Sequence, residues 1–264
     1  MNKPGEEPLL SLPERHSRIL SLLQQNGSIS VTQLSELFKV SEVTIRKDLS
    51  YLEQQKKLYR THGSAILISP YISDRHVNEE EKKNVAEKRA IGAAAAALVS
   101  QDDSIIIASG TTMAFLAREI KPVGRLTVIT AAVPVTQILS QHADVDVIQL
   151  GGITRSSSVS VVGPFAEAML RNFNCSKLFV GVDGIDTEFG LTTTNMLEAS
   201  LNDAMINAAQ KVVVLADSSK FGRRGFSKIC DLEAVDRIIT DSGVQPLYLE
   251  RLRERGIEVT VVDV

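Results

Sequence analysis

The stretch from Ser41 to Leu52, Ser-Glu-Val-Thr-Ile-Arg-Lys-Asp-Leu-Ser-Tyr-Leu, restricts this chain more than any other. Ile45, Leu49 and Leu52 recur at i, i+4 and i+7, the spacing of one face of an α-helix, and the short Val43 reads as buried with them. Ser41 stands where an N-cap belongs, and Glu42 puts negative charge in the first turn, where the helix dipole favours it. The outward side of the first turns carries Thr44, Arg46 and Lys47. Cationic donors there suit phosphates or guanine edges, and a threonine suits a phosphate or a thymine methyl. Taken alone, such a helix is most often an ordinary solvated face, so the flanking sequence decides.

Upstream, Ser30-Val31-Thr32-Gln33 has the form of a capping box. It predicts a helix that starts after Ser30, buries Val31, Leu34 and Leu37, and ends near Phe38-Lys39-Val40. Two helices joined by so tight a turn, the second polar at its start, describe a helix-turn-helix. A second box, Ser11-Leu12-Pro13-Glu14, predicts an earlier helix through Ile19, Leu20, Leu22 and Leu23 that stops at Asn26-Gly27. Downstream, Lys56 to Leu67 alternates around a Gly turn and predicts a hairpin wing, with Lys56, Lys57 and Arg60 set toward flanking phosphates. The candidate DNA-binding residues are Ser41, Thr44, Arg46, Lys47, Lys56, Lys57, Arg60 and His62.

The run from Glu14 to Ala65 resembles the N-terminal signature of the deoxyribose-operon-repressor (DeoR) family. The matching pieces are Glu14-Arg15, Ile19-Leu20, Val40-Ser41, Thr44-Ile45-Arg46-Lys47-Asp48-Leu49, Leu52-Glu53 and Arg60-Thr61-His62-Gly63-Ser64-Ala65. Ser64 stands where the family usually has a second Gly. The resemblance implies a winged helix-turn-helix that binds double-stranded operator DNA.

At 264 residues the chain can bury a sizeable core. Its formal net charge of −3 argues against wholesale coating by nucleic acid, yet residues 11–65 carry eight Lys/Arg against five Asp/Glu. That asymmetry fits a DNA-binding end joined to an acidic remainder. Without an apolar signal region or a long apolar run, the expectation is a cytoplasmic protein with no membrane association. Cys175 and Cys230 lie far apart and the four His are scattered, so neither a metal nor a cofactor is expected. The expected division is a winged helix-turn-helix over 11–68, a charged linker over 69–83 and an effector-binding domain over 84–264.

From Ser104 onward, short β-rich runs alternate with helix-length segments. The runs are Ser104–Ala108, Leu126–Thr130, Val145–Leu150, Lys177–Val182, Val212–Ala216, Ile238–Thr240 and Glu258–Val262. Helices are predicted over about Asn84–Val99, Thr112–Ile120, Val133–Gln141, Pro164–Asn172, Met196–Gln210 and Pro246–Arg255. This alternation predicts an α/β fold: a doubly wound, mostly parallel sheet whose ligands bind beyond the carboxyl ends of the strands. At those ends Ser109-Gly110-Thr111-Thr112 opens a helix and offers unpaired N–H groups and hydroxyls to an anion. Thr130, Gly151-Gly152, Asp183-Gly184, Glu198, Asp217 and Lys220 complete the candidate effector-binding set. Each also has a plainer reading, as a tight turn or a cap.

This region is also similar to the DeoR family, through Asp103–Thr112, Gly151-Gly152, Phe179–Asp186, Gly190-Leu191-Thr192, Glu198 and Leu215–Gly222. The resemblance implies a domain like ribose-5-phosphate isomerase that binds a phosphorylated sugar or related metabolite. Ala108-Ser109, Ala131 and Asn202 depart from the family's usual Asp, Asn and Lys, and bear on ligand choice. The expected function is a transcriptional regulator of sugar metabolism, a repressor whose operator affinity follows its effector. The alternative is an aldose–ketose phosphate isomerase with a DNA-binding appendage, Glu198 serving as base and Lys220 as donor. A single recognition helix reads few base pairs, so a homo-oligomer is expected.

Overall fold

The structure is a computed structural model that describes residues 11–26, 28–55, 57–61, 64–67, 81–122 and 124–264. The chain divides into two compact units, Met1–Pro70 and Tyr71–Val264. Gly27, Lys56, His62, Gly63 and residues 69–80 of the expected linker lie outside the described residues.

In the first unit α1 (Leu12–Asn26), α2 (Val31–Phe38) and α3 (Glu42–Gln54) pack against a sheet of order β1-β3-β2. The capping box at Ser30 is complete: its hydroxyl accepts from the Gln33 N–H while the Gln33 side chain reaches back to the Ser30 N–H. The box at Ser11 is only half formed, because the Ser11 hydroxyl donates to the Glu14 carboxylate (2.6 Å). Between α2 and α3, Lys39 takes the left-handed conformation (φ 54°) and lets the chain turn at once into the Ser41 cap. The wing strands β2 (Leu58–Thr61) and β3 (Ser64–Leu67) pair as expected, and a strand the sequence did not signal, β1 (Ser28–Ser30), joins β3.

Ile19, Leu23, Val31, Leu34, Phe38, Ile45, Leu49 and Leu52 form the core of this unit. Two expectations fail here. Leu37 is 55% exposed, its place taken by Phe38, and Val43 is 60% exposed. Helical geometry gives the reason for Val43: it lies two residues from Ile45, about 200° around the helix, and so points away from the buried face. A polar residue is buried instead. Asp48, 4% exposed, accepts from Arg15 Nε (2.6 Å) and Nη2 (3.1 Å) and sits 3.1 Å from His16 Nε2, clamping α3 to α1.

The second unit is built on a wholly parallel seven-stranded sheet of order β6-β5-β4-β9-β12-β14-β15. The strands are β4 (Ser104–Ile107), β5 (Leu126–Thr130), β6 (Val145–Gln149), β9 (Lys177–Gly181), β12 (Val212–Leu215), β14 (Arg237–Asp241) and β15 (Glu258–Val262). They correspond to the seven predicted runs. The chain enters at β4 in mid-sheet, winds out to β6, then returns to β9 and winds out the other way. That is double winding, with its switch point between β4 and β9.

Alternate residues feed the two faces. Ile105, Ile107, Val128, Phe179 and Val213 pack with α4 (Val85–Ala96), α5 (Thr111–Glu119) and α6 (Val133–Leu139). Ile106, Ile129, Leu178, Val180 and Val214 face α7 (Pro164–Leu170), α8 (Met196–Asn207) and α9 (Pro246–Glu254). The small residues of α4 permit a close approach: a Cβ on Gly92 would lie 2.8 Å from the Leu116 backbone nitrogen of α5. Two antiparallel additions have no counterpart in the predicted runs: β7 (Ile153–Arg155) with β8 (Ser160–Val162), and β10 (Gly184–Asp186) with β11 (Gly190–Thr193) and β13 (Ser227–Cys230). Among the described residues no helix is long and apolar enough to cross a membrane.

Replacing Asp48 with Ala takes a shared partner from Arg15 and His16 and should cost the first unit about 3–5 kcal/mol, as when a buried ion pair is broken from one side. Hydrogen exchange on the full chain would show α1–α3 losing protection while the parallel sheet keeps its own.

Candidate functional site

The Ser41 hydroxyl accepts the Thr44 N–H (3.2 Å) and lies 3.0 Å from the Thr44 hydroxyl, so both are tied into the start of α3. Arg46 donates to Glu42 (2.8 Å) while both remain well exposed, and Glu42 also accepts from the Thr32 hydroxyl (3.0 Å). Lys47 and Lys57 are exposed. Arg60 follows α3: its N–H donates to Glu53 (2.9 Å) and its guanidinium to the Ser50 hydroxyl. Five of the predicted residues thus stand on α3 or against it, Lys57 is exposed just before β2, and Lys56 and His62 lie outside the described residues. Val43, Arg46, Lys47, Ser50, Tyr51 and Gln54 line a shallow concavity on the outer face of α3.

In the second unit all seven strands run the same way, so the predicted loops share the carboxyl edge of the sheet. The loop after β4 borders the switch point. Gly110 there has φ 130° and ψ 160°, a conformation L side chains rarely adopt, and beyond its two chain neighbours nothing lies within 4 Å of where its Cβ would stand. Ser109 and Thr111 are partly exposed at its sides, whereas Thr112 is buried.

Other predicted positions are taken up by the fold itself. Thr130 is fully buried and accepts the Ala132 N–H (3.0 Å). A Cβ on Gly152 would stand 2.7 Å from the Val162 carbonyl, and one on Gly184 would strike the Arg223 carbonyl, so both glycines permit close backbone approach. Gly151 is exposed. Asp217 accepts the Ser219 N–H (3.1 Å) and the Asn84 side chain (2.9 Å), which ties the start of α4 to the end of β12. Lys220 closes the short turn Ser218–Lys220 beyond β12.

Glu198 and Asp183 belong to a cluster with a residue that sequence reasoning missed. Arg155, on β7, pairs with Glu198 at the start of α8 at 2.5 Å, with their side chains 10% and 13% exposed. Arg155 also donates to the Ser157 hydroxyl (3.2 Å). The Thr193 hydroxyl donates to Asp183 (2.9 Å) and lies 3.5 Å from Glu198 Oε2, joining the two acids. Burial pushes the Glu198 carboxyl above its ordinary value of 4.5; Arg155 and Ser158 oppose that push without cancelling it, and Asp183 adds to it. Nothing local could have revealed Arg155, because a lone Arg in a three-residue strand carries no periodicity. A second buried pair, Asp186 with Arg224 (2.9 Å), fixes β10. Burial opposes the Asp186 charge most strongly, yet Arg224 and the Glu188 and Phe189 N–H groups hold its carboxyl below the ordinary value.

A raised folded pKa costs nothing while the carboxyl is protonated in both states; the cost appears as pH rises through the unfolded value. Removing Arg155 deepens it. Arg155→Met should therefore lose about 3–5 kcal/mol at about pH 7.5, with the deficit shrinking toward about pH 4.5, as thermal unfolding across that range would show.

The model of the DeoR-like helix-turn-helix domain matches residues 15–71, and that of the DeoR C terminal sensor domain matches residues 83–242. An uncharacterized HTH-type transcriptional regulator of Bacillus subtilis, YulB, is 39% identical over 94% of this chain and 96% of its own. A putative aga operon transcriptional repressor of Escherichia coli O157:H7 is 37% identical over 98% of this chain and 97% of its own. The lactose phosphotransferase system repressor of Lactococcus lactis is 33% identical over 91% and 95%. Among solved structures, ribose 5-phosphate isomerase A from Neisseria gonorrhoeae is similar over 52% of this chain and 53% of that one, at 17% identity and a TM-score of 0.37.

Proposed function

We propose, for a chain that belongs to the DeoR family of DNA-binding transcriptional regulators, that it represses carbohydrate genes and that a phosphorylated sugar sets its operator affinity. The observation that carries this reading is the cluster at the carboxyl edge of the parallel sheet. Open space beside Gly110, at the start of α5, offers a place for a phosphate, and the Asp183–Thr193–Glu198–Arg155 group supplies acceptors and donors for hydroxyls. Relatives named as repressors of an aga operon and of a lactose phosphotransferase system support the carbohydrate assignment. Matches over both units favour a regulator over an isomerase with an appendage. The domain bounds that fit this reading are 11–68 for DNA binding and 84–264 for the effector. Reading a two-fold operator calls for a homo-oligomer.

On the DNA side Arg46 must exchange Glu42 for the duplex. Their pair is exposed, so the exchange costs little, about 0.3–0.5 kcal/mol. Arg46→Ala should weaken operator binding by about 1–3 kcal/mol and relax preference at one base pair. Unchanged affinity in a gel-shift or anisotropy titration would remove Arg46 from the interface.

On the effector side, Gly110→Val fills the open space and strains the backbone. A thermal-shift screen of sugar phosphates should find a stabilising ligand for the full chain, and this variant should lose the response. In the unmodified chain that ligand should change operator affinity by about 5–150-fold, and DNA should change ligand affinity by the same factor. Lys220→Ala should abolish the ligand response and keep ligand-free operator affinity. Equal operator affinity with and without saturating ligand would leave a constitutive binder.

A further inference from the structure

The outer face of α3 consists of two rows, each spaced by four residues: Arg46, Ser50 and Gln54 in one, Val43, Lys47 and Tyr51 in the other. The first row is polar throughout. The second has a cation at its centre and an apolar or aromatic side chain at each end. Val43 is 60% exposed and Tyr51 50%, although Ile45 and Leu49 on the opposite side are fully buried. Tyr51 is held in place, its ring stacked on His16 with centroids 5.1 Å apart and planes at 22°, while His16 rests against Asp48. Next to Val43, the Glu42 carboxylate is engaged by Thr32 and Arg46. The surface around the rows is cationic through Arg46, Lys47 and Arg60, which suits phosphates.

We infer that Val43 is a base-reading residue of α3 and that it takes the 5-methyl group of a thymine in the major groove. This rests on the reading of α3 as the helix that faces the operator. Recognition helices meet base edges with their N-terminal residues, and Val43 is the second residue of α3. A valine offers no hydrogen bond to a phosphate or to a base edge. The one apolar group a base pair shows in the major groove is the thymine methyl, so that is the group its exposed side chain matches. Arg46 and Lys47 fix position and charge, and Val43 adds a preference that they cannot supply.

The test uses the full-length chain and a duplex it selects from a random pool. Each thymine of the selected duplex is replaced in turn by deoxyuridine, which pairs in the same way and lacks only the methyl. At one thymine per half-site the replacement should weaken the wild type about four-fold, the value of one buried methyl-sized group. Val43→Ala, at an exposed position, should fold normally and bind the thymine and deoxyuridine duplexes equally well at that site. A wild type insensitive to every replacement, or a Val43→Ala variant that keeps the wild-type ratio, overturns the inference. Arg46→Ala and Lys47→Ala are run beside it. If both bind like wild type, α3 does not face the operator and both readings fall; if they weaken binding while no methyl matters, only the Val43 assignment is lost.

Discussion

A parallel sheet whose chain begins at an inner strand has one edge where all the carboxyl ends meet, and one place on that edge where the connecting helices part to opposite faces. In this protein that place lies between β4 and β9. The strands themselves have no freedom to carry chemistry: Ile105, Ile106, Ile107, Leu178, Phe179 and Val180 are fully buried, covered by helices on both faces. The polar cluster of this unit is therefore built from a loop, a helix start and the two small antiparallel additions. Arg155 arrives on one addition and Thr193 on the other, to meet Glu198 at the start of α8 and Asp183 after β9.

The two units use buried charge differently. Asp48 is surrounded by donors from one neighbouring helix, and its task is geometric: it holds the recognition helix against α1. At Glu198 burial, with the neighbouring Asp183, outweighs the Arg155 guanidinium and the Ser158 hydroxyl, and the carboxyl stays above its ordinary value.

Long-period features were legible in the sequence and short ones were not. Each of the seven parallel strands is a compact apolar run bounded by turn residues, and each helix between them is long enough to show its spacing. Strands of three residues, such as β1, β7 and β10, are too short for alternation to appear, so the antiparallel additions stayed hidden, and Arg155 with them. The capping serines at 30 and 41 were readable because a cap is a local contract between residues three apart. Val43 and Leu37 misled for the converse reason: an apolar side chain beside a buried stripe was assigned to it, although helical geometry turns it outward. Gly152 and Gly184 marked real constraints, but the constraint is the approach of a neighbouring backbone.

The contact at Gly92 has a mechanical consequence. At Gly92 α4 meets α5 with no side chain in between, so the approach there is set by backbone contact. α5 opens at Gly110 and α4 opens at Asn84. Asp217 grips Asn84 from the end of β12. A residue larger than glycine at 92 would therefore push α4 off α5 and load the Asn84–Asp217 hydrogen bond at the start of α4.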